Sequence, residues 1–103
     1  MLVAFSLAPS TSGADGSVSD AVAEVVALVR ASGLPHRTDA MFTTVEGTWA
    51  ECTDLIGRCI DVLTARAPRV SLVLKADVRP GRTGELTAKL DRLEQAVDRL
   101  GGV

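Results

Sequence analysis

Glu46 is the residue of this chain most in need of a physical explanation. It stands in Met41-Phe42-Thr43-Thr44-Val45-Glu46-Gly47-Thr48-Trp49, a strand-like stretch that sets one carboxylate and two hydroxyls among apolar neighbours. An ionised carboxylate leaning into a sheet costs several kcal/mol, on the order of buried-ion penalties in general, unless charge or hydrogen bonds compensate it. Such a group marks either a binding site or an ion pair, and Lys75 or an arginine across the sheet is the expected partner in the second case. Side chains alternate along a strand, so Thr44 shares a face with Glu46 while Thr43 points the other way. Lys75 and Asp77 share a face by the same rule, and Asp77 either contacts a ligand or pairs with Lys75 or Arg79. Arg79 and Arg82 flank Pro80-Gly81, where they either hold an acidic group or sit solvated on a turn.

The remaining reactive side chains do not assemble a catalytic set. His36 is the only histidine, follows Pro35, and has no serine, cysteine or second histidine spaced to work with it. Cys52 and Cys59 lie seven residues apart on one predicted helix, roughly 10 Å along its axis, which is beyond disulfide reach and matches no metal spacing. They read as buried, reduced thiols. No triad, phosphate loop or metal cluster is visible, so no catalytic residue, metal ligand or cofactor is expected.

At 103 residues the chain makes one domain, residues 1–103, near the lower end of the size at which a core is self-sufficient. Hydrophobic residues make up 47% of it, yet only Phe5, Phe42 and Trp49 are aromatic, so Val, Leu, Ala and Ile must build the core. Mean hydropathy of +0.25 is high for a small soluble monomer and suggests surface covered by another copy. A formal charge of −2 and a pI near 5.3 argue against nucleic acid as a partner. The start, Met-Leu-Val-Ala-Phe-Ser, lacks a basic n-region, and no apolar run approaches the ~18 residues of a membrane span, so a cytoplasmic protein is expected.

The elements that must position these residues follow from periodicity. Residues 2–8 form an apolar run, read as a central strand, followed by a Ser/Thr/Gly-rich loop over 10–17. From Ser17 the period changes to 3.6, with Val18, Ala21, Val22, Val25, Leu28 and Val29 on one face, and Gly33 stops that helix. Residues 36–42 and 43–48 read as a hairpin whose turn no Gly or Pro marks. Thr48-Trp49-Ala50-Glu51 has the form of a capping box and starts a second helix that runs to about Ala65, with Cys52, Leu55, Ile56, Cys59, Ile60 and Leu63 inward and Trp49 as a packing residue. Residues 69–78 alternate as a strand, and a third helix from about Thr83 to Gly101 carries a narrow stripe of Leu86, Leu90, Leu93, Val97 and Leu100.

The order β-α-β-β-α-β-α implies an α+β, ferredoxin-like sheet with two helices on one face and an extra C-terminal helix. Val3, Phe5 and Leu7, with Val70, Leu72 and Leu74, should face the helices. Ala4, Ser6, Ser71, Val73, Lys75 and Asp77 should form the opposite face. That face is too mixed for a second core and too apolar to be left in water, so a second sheet, a ligand or both should cover it.

Taken in order, Leu2-Val-Ala-Phe-Ser-Leu-Ala-Pro9, Ser32-Gly-Leu-Pro35, Met41-Phe-Thr-Thr-Val-Glu-Gly47, and Val70-Ser-Leu-Val-Leu-Lys-Ala-Asp77 with Arg79-Pro-Gly-Arg82 resemble the small thiamine-binding protein family over nearly the whole chain. The resemblance implies ferredoxin-like subunits whose sheets pair into dimers and then tetramers, and which bind thiamine or its hydroxymethylpyrimidine half without catalysis. Where such proteins commonly have Pro-Met-Gly before the threonines, this chain has Ala40-Met41-Phe42, and Phe42 either stacks on a flat heterocycle or fills the pocket.

Thiamine needs a coplanar acceptor and donor for its aminopyrimidine, and a carboxylate or aromatic face for its thiazolium cation. Ser6, Phe42, Thr44, Glu46 and Asp77 are the candidate ligand-binding residues on that reading. Ser6 serves equally well as a small residue that admits a second sheet. The expected assembly is a homotetramer, a dimer of dimers, in which helix three offers a second contact. Two other classes stay open: an enzyme of the dimeric α+β barrel type, using Glu46 or Asp77 as acid or base, and a structural or regulatory oligomer without ligand.

Overall fold

The computed structural model describes residues 1–10 and 17–101, with the side chains of residues 17–19 outside that description. Seven elements follow in the order β1 (Leu2–Pro9), α1 (Ser17–Ala31), β2 (His36–Thr38), β3 (Thr43–Glu46), α2 (Trp49–Thr64), β4 (Val70–Asp77) and α3 (Glu85–Arg99). The four strands form one antiparallel sheet in the order β2-β3-β1-β4, the ferredoxin-like arrangement with β1 and β3 in the middle. Most of the loop expected over 10–17, and the inward role of Val18, lie outside the described residues.

β1 is central, and its alternate residues Val3 and Phe5 are apolar and buried. Val3 and Phe5 pack with Val45 of β3, Val29 of α1 and Cys52, Leu55, Ile56 and Cys59 of α2. The register sets Val3 opposite Ala76, Phe5 opposite Leu74 and Leu7 opposite Leu72, so the row expected to face the helices does so. Leu72, at the far end of that row, is partly exposed.

α2 begins where its local chemistry says it must. The Glu51 N–H donates to Thr48 Oγ1 at 3.1 Å and the Thr48 N–H to Glu51 Oε1 at 2.9 Å, a complete capping box. Its inward face is the one expected, but Trp49 is exposed rather than packed. α1 ends at Gly33, whose φ of +79° is the left-handed C′ conformation that a residue with a Cβ adopts only at a cost.

The hairpin between β2 and β3 turns at Asp39–Phe42. The Asp39 carboxylate accepts from the N–H groups of Met41 at 2.8 Å and Phe42 at 2.9 Å, so a side chain supplies what Gly or Pro supplies elsewhere. Those two bonds, that from Phe42 first, hold the Asp39 carboxyl below its ordinary pKa. No helix among the described residues is long and apolar enough to cross a membrane.

α3 lies on the other side of the sheet from α1 and α2. It docks through its first half, where Leu86 and Leu90 line a cleft with Leu2, and leaves Leu93 58% and Leu100 83% exposed. The radius of gyration is 16.1 Å, against about 13 Å for a compact domain of this length.

Candidate functional site

The register arranges the open sheet face in rows. Asp77, Leu2 and Glu46 lie side by side across β4, β1 and β3; Lys75, Ala4, Thr44 and Arg37 form the next row, and Val73 and Ser6 the one after. Thr44 and Glu46 share this face and Thr43 does not, as strand alternation requires.

Glu46 is only 7% exposed, and its partner is neither Lys75 nor an arginine. The N–H of Glu85 donates to its Oε2 at 2.9 Å and the N–H of Leu86 to its Oε1 at 3.2 Å. Lys75 falls one row away. The ion pair, one of the two alternatives the sequence left open, is thus replaced by a helix cap: Gly84 stands at the N-cap of α3 with no side chain to offer, and a carboxylate from the sheet takes two of the helix's unpaired donors. This compensates the burial of Glu46 without a counter-cation.

α3 also takes the other end of the row. Lys89 Nζ donates to Asp77 Oδ2 at 2.6 Å, while Arg79 Nε stands 3.9 Å from Asp77 Oδ1. The Lys89 hydrogen bond is the leading reason the Asp77 carboxyl stays below its ordinary range, with the charges of Lys89, Arg79 and Lys75 adding to it. Glu85, in the first turn of α3, is buried and receives Arg92 Nη2 at 2.7 Å, with Arg82 Nη1 at 3.6 Å. The Arg92 bond lowers its pKa as well.

The five residues expected to bind ligand fall into two groups in one subunit. Thr44, Glu46 and Asp77 lie on the sheet face at the foot of α3, where Thr44 opens into a cleft of about 290 Å³ shared with Leu2, Arg37, Asp39, Lys89 and Leu90. Phe42 lies at the hairpin tip, in a separate cleft of about 240 Å³ against Val22 and Val25 of α1. Ser6 borders both groups: its register places it beside Val73 on the open face, and it lines the cleft of Phe42. Arg37, Asp39 and Lys89 were not singled out from sequence. Arg37 follows by alternation once the Asp39 turn fixes the hairpin register, whereas Lys89 depends on where α3 docks.

His36 is exposed, with Nδ1 2.9 Å from the Leu34 carbonyl. Among the described residues no three His, Cys, Asp or Glu side chains converge as a metal site would require. Cys52 and Cys59 are buried free thiols whose pKa burial pushes up. What the geometry offers is hydroxyls, charge and a small-residue floor on a sheet face, which suits recognition of a small molecule.

The sheet order, the helix pair behind it and the third helix across its front define a ferredoxin-like α+β domain with a ligand-sized open face. The model of the thiamine-binding protein family matches residues 3–94, and the chain belongs to that family. It is 48% identical over 96 residues to UPF0045 protein Mb1933 of Mycobacterium bovis, covering 92% of each chain. A structure from Bacillus cereus, of a domain of unknown function called DUF77, is similar at 27% identity and a TM-score of 0.71, covering 82% of this chain and 83% of that one. TM0486 of Thermotoga maritima, a candidate thiamine biosynthesis or salvage protein, shares the fold at 24% identity and a TM-score of 0.70, covering 88% and 97%.

Proposed function

We propose that this chain is a non-catalytic cytoplasmic protein that binds thiamine or a related hydroxymethylpyrimidine between the sheet faces of paired subunits, four chains forming a dimer of dimers. The observation that carries this reading, beside the family match over residues 3–94, is the sheet face beyond α3. Its floor is made of the small residues Ala4 and Ser6, and Val73 beside Ser6 is 58% exposed, an apolar side chain on a surface that a single subunit leaves open.

A flat heterocycle fits such a floor. Glu46 and Asp77 flank Leu2 at the foot of α3, and Asp77, whose carboxyl the Lys89 hydrogen bond holds below its ordinary range, draws a thiazolium ring to that edge of the floor. The hydroxyls of Thr44 and Ser6 then orient the aminopyrimidine, whereas Phe42, in the cleft against α1, is too far round the sheet edge to stack on it within one subunit.

Calorimetric titration with thiamine and with hydroxymethylpyrimidine tests the ligand. Heat is expected with the natural sequence and an affinity about tenfold lower in Thr44→Val, the loss of one hydrogen bond to a polar ligand. Silence with both compounds at millimolar concentration rejects the reading. Light scattering tests the assembly: Val73→Lys should shift the protein to a smaller species with unchanged circular dichroism, and a natural chain that is monomeric at micromolar concentration rejects the interface.

A further inference from the structure

A cavity of about 550 Å³ lies away from the small-residue floor, at the end of the sheet where β3 passes into α2 and β4 into α3. One wall is Met1, Leu34 and Pro35, the other Val78 and Pro80, and the connection Gly47–Thr48 lies between them. These walls are apolar. Arg79, Arg82, Glu46 and Glu51 supply its charge.

The two signs are not equally available. Glu46 spends both oxygens on the N–H groups of α3, and Glu51 accepts from the N–H of Thr48 in the capping box. The arginines are less committed. The nearest carboxylate oxygen to Arg79 is 3.9 Å away and to Arg82 3.6 Å, beyond hydrogen-bond reach. Those same carboxylates already have closer partners, Lys89 at 2.6 Å and Arg92 at 2.7 Å. Both guanidinium groups are about half exposed and keep most of their donors for something else.

The turn that carries them brings them together. The Arg82 N–H donates to the Arg79 carbonyl at 3.1 Å, Pro80 follows Arg79, and Gly81 has φ of +78°, a type II turn whose third position requires positive φ. The first and fourth residues of such a turn have Cα atoms within about 7 Å of each other, close enough for two guanidinium groups to grip one tetrahedral anion.

We infer that this cavity is a second ligand site, adjoining the sheet face at Glu46 but with its own anion-binding groups, which takes a phosphate ester with a compact apolar body: the phosphate held by Arg79 and Arg82, the body between Leu34, Pro35 and Val78. A ring-sized body fits the volume, and the apolar walls distinguish an ester from free phosphate.

Phenyl phosphate is a suitable probe, followed by calorimetry and by two-dimensional amide NMR. Binding should perturb the amides of Gly47, Thr48, Gly81 and Arg82, exceed that of inorganic phosphate, and fall at least about tenfold in Arg79→Gln/Arg82→Gln. Both arginines are exposed on a turn, so circular dichroism of that variant should match the natural protein. Arg37→Gln, in the other cleft, should leave the affinity unchanged. The inference is overturned by no binding at millimolar phenyl phosphate, by equal binding to the Arg79/Arg82 variant, or by shifts confined to the amides around Arg37 and Lys89. None of these outcomes depends on whether thiamine binds, so failure of this inference and failure of the thiamine reading are told apart.

Discussion

Replacing Glu46 should undock α3 before it unfolds the domain. The carboxylate accepts from two N–H groups, at 2.9 and 3.2 Å, and the helix has no cap of its own because Gly84 precedes it. A hydrogen bond to a charged group contributes about 1.5–3 kcal/mol, an N-cap side chain about 0.5–2 kcal/mol, and an anion at a helix N-terminus about 0.3–1 kcal/mol. These overlap, so Glu46→Ala should weaken the docking of α3 by about 2–4 kcal/mol. Glu46→Gln, which retains one acceptor and no charge, should lose roughly half of that. An isolated helix of α3's 15 residues is marginal in water, so the loss becomes fraying and not merely a weaker contact.

Hydrogen exchange reads this directly. At about 1.4 kcal/mol per factor of ten, the amides of Glu85, Leu86 and the rest of α3 should exchange at least about tenfold faster in Glu46→Ala, while those of α2 and β1 barely change. Because α3 is one of three helices of nearly equal length, full release would remove about a third of the helical ellipticity. Natural exchange rates throughout α3 in Glu46→Ala would refute the cap as the tie between helix and sheet.

Three other outcomes follow from the same geometry. Asp77, Glu85, Asp39 and Glu51 all have pKa values lowered on folding, by Lys89, by Arg92, by the Phe42 and Met41 N–H groups and by the Thr48 N–H, respectively. The folded state therefore binds protons less readily than the unfolded one, and the stability these groups add is complete above their ordinary values of 3.8 and 4.5 and lost as pH falls through the lower folded ones. Urea midpoints should be flat from pH 7 to about 5 and drop in more acid buffer. Thr48→Ala breaks the capping box and should cost about 1 kcal/mol in the same assay. Cys52 and Cys59, buried and with raised pKa, should react with a thiol reagent only as the chain unfolds, both with one rate.

What could be read in the sequence is what neighbours in the chain decide. The capping box at Thr48 and Glu51 spans four residues, and the inward face of α2 repeats every turn, so both were legible. So was the helix-facing row of β1, because strand alternation admits one solution once Val3 and Phe5 are inside. The hairpin turn was hidden because the Asp39 side chain makes it, with neither Gly nor Pro present. The partner of Glu46 was hidden for a different reason: it lies 39 residues away and is a backbone N–H, which carries no residue identity to recognise. Trp49 misled because an aromatic at a helix start packs only where another element reaches it, which a local pattern does not reveal.

The cap at Glu46 also ties the sheet face to α3 in a way that reaches assembly. The chain leaves two apolar surfaces uncovered, the floor around Ser6 and Val73 and the outer stripe of α3 at Leu93 and Leu100, and is elongated for its length, 51 by 31 by 20 Å. A small domain that leaves this much apolar area in water forgoes stabilisation it can scarcely spare, at roughly 25 cal/mol per Å². The angle at which α3 leaves the sheet decides whether one partner arrangement can cover both surfaces, and the Glu46 carboxylate and the Lys89–Asp77 pair set that angle. If subunits pair as proposed above, a residue buried within its own subunit should therefore control assembly. Glu46→Ala should weaken assembly in light scattering about as much as Val73→Lys does, with its effect on α3 exchange already visible in the dissociated chain. An intact oligomer in Glu46→Ala whose α3 exchanges freely would show instead that the helix takes no part in holding the subunits together.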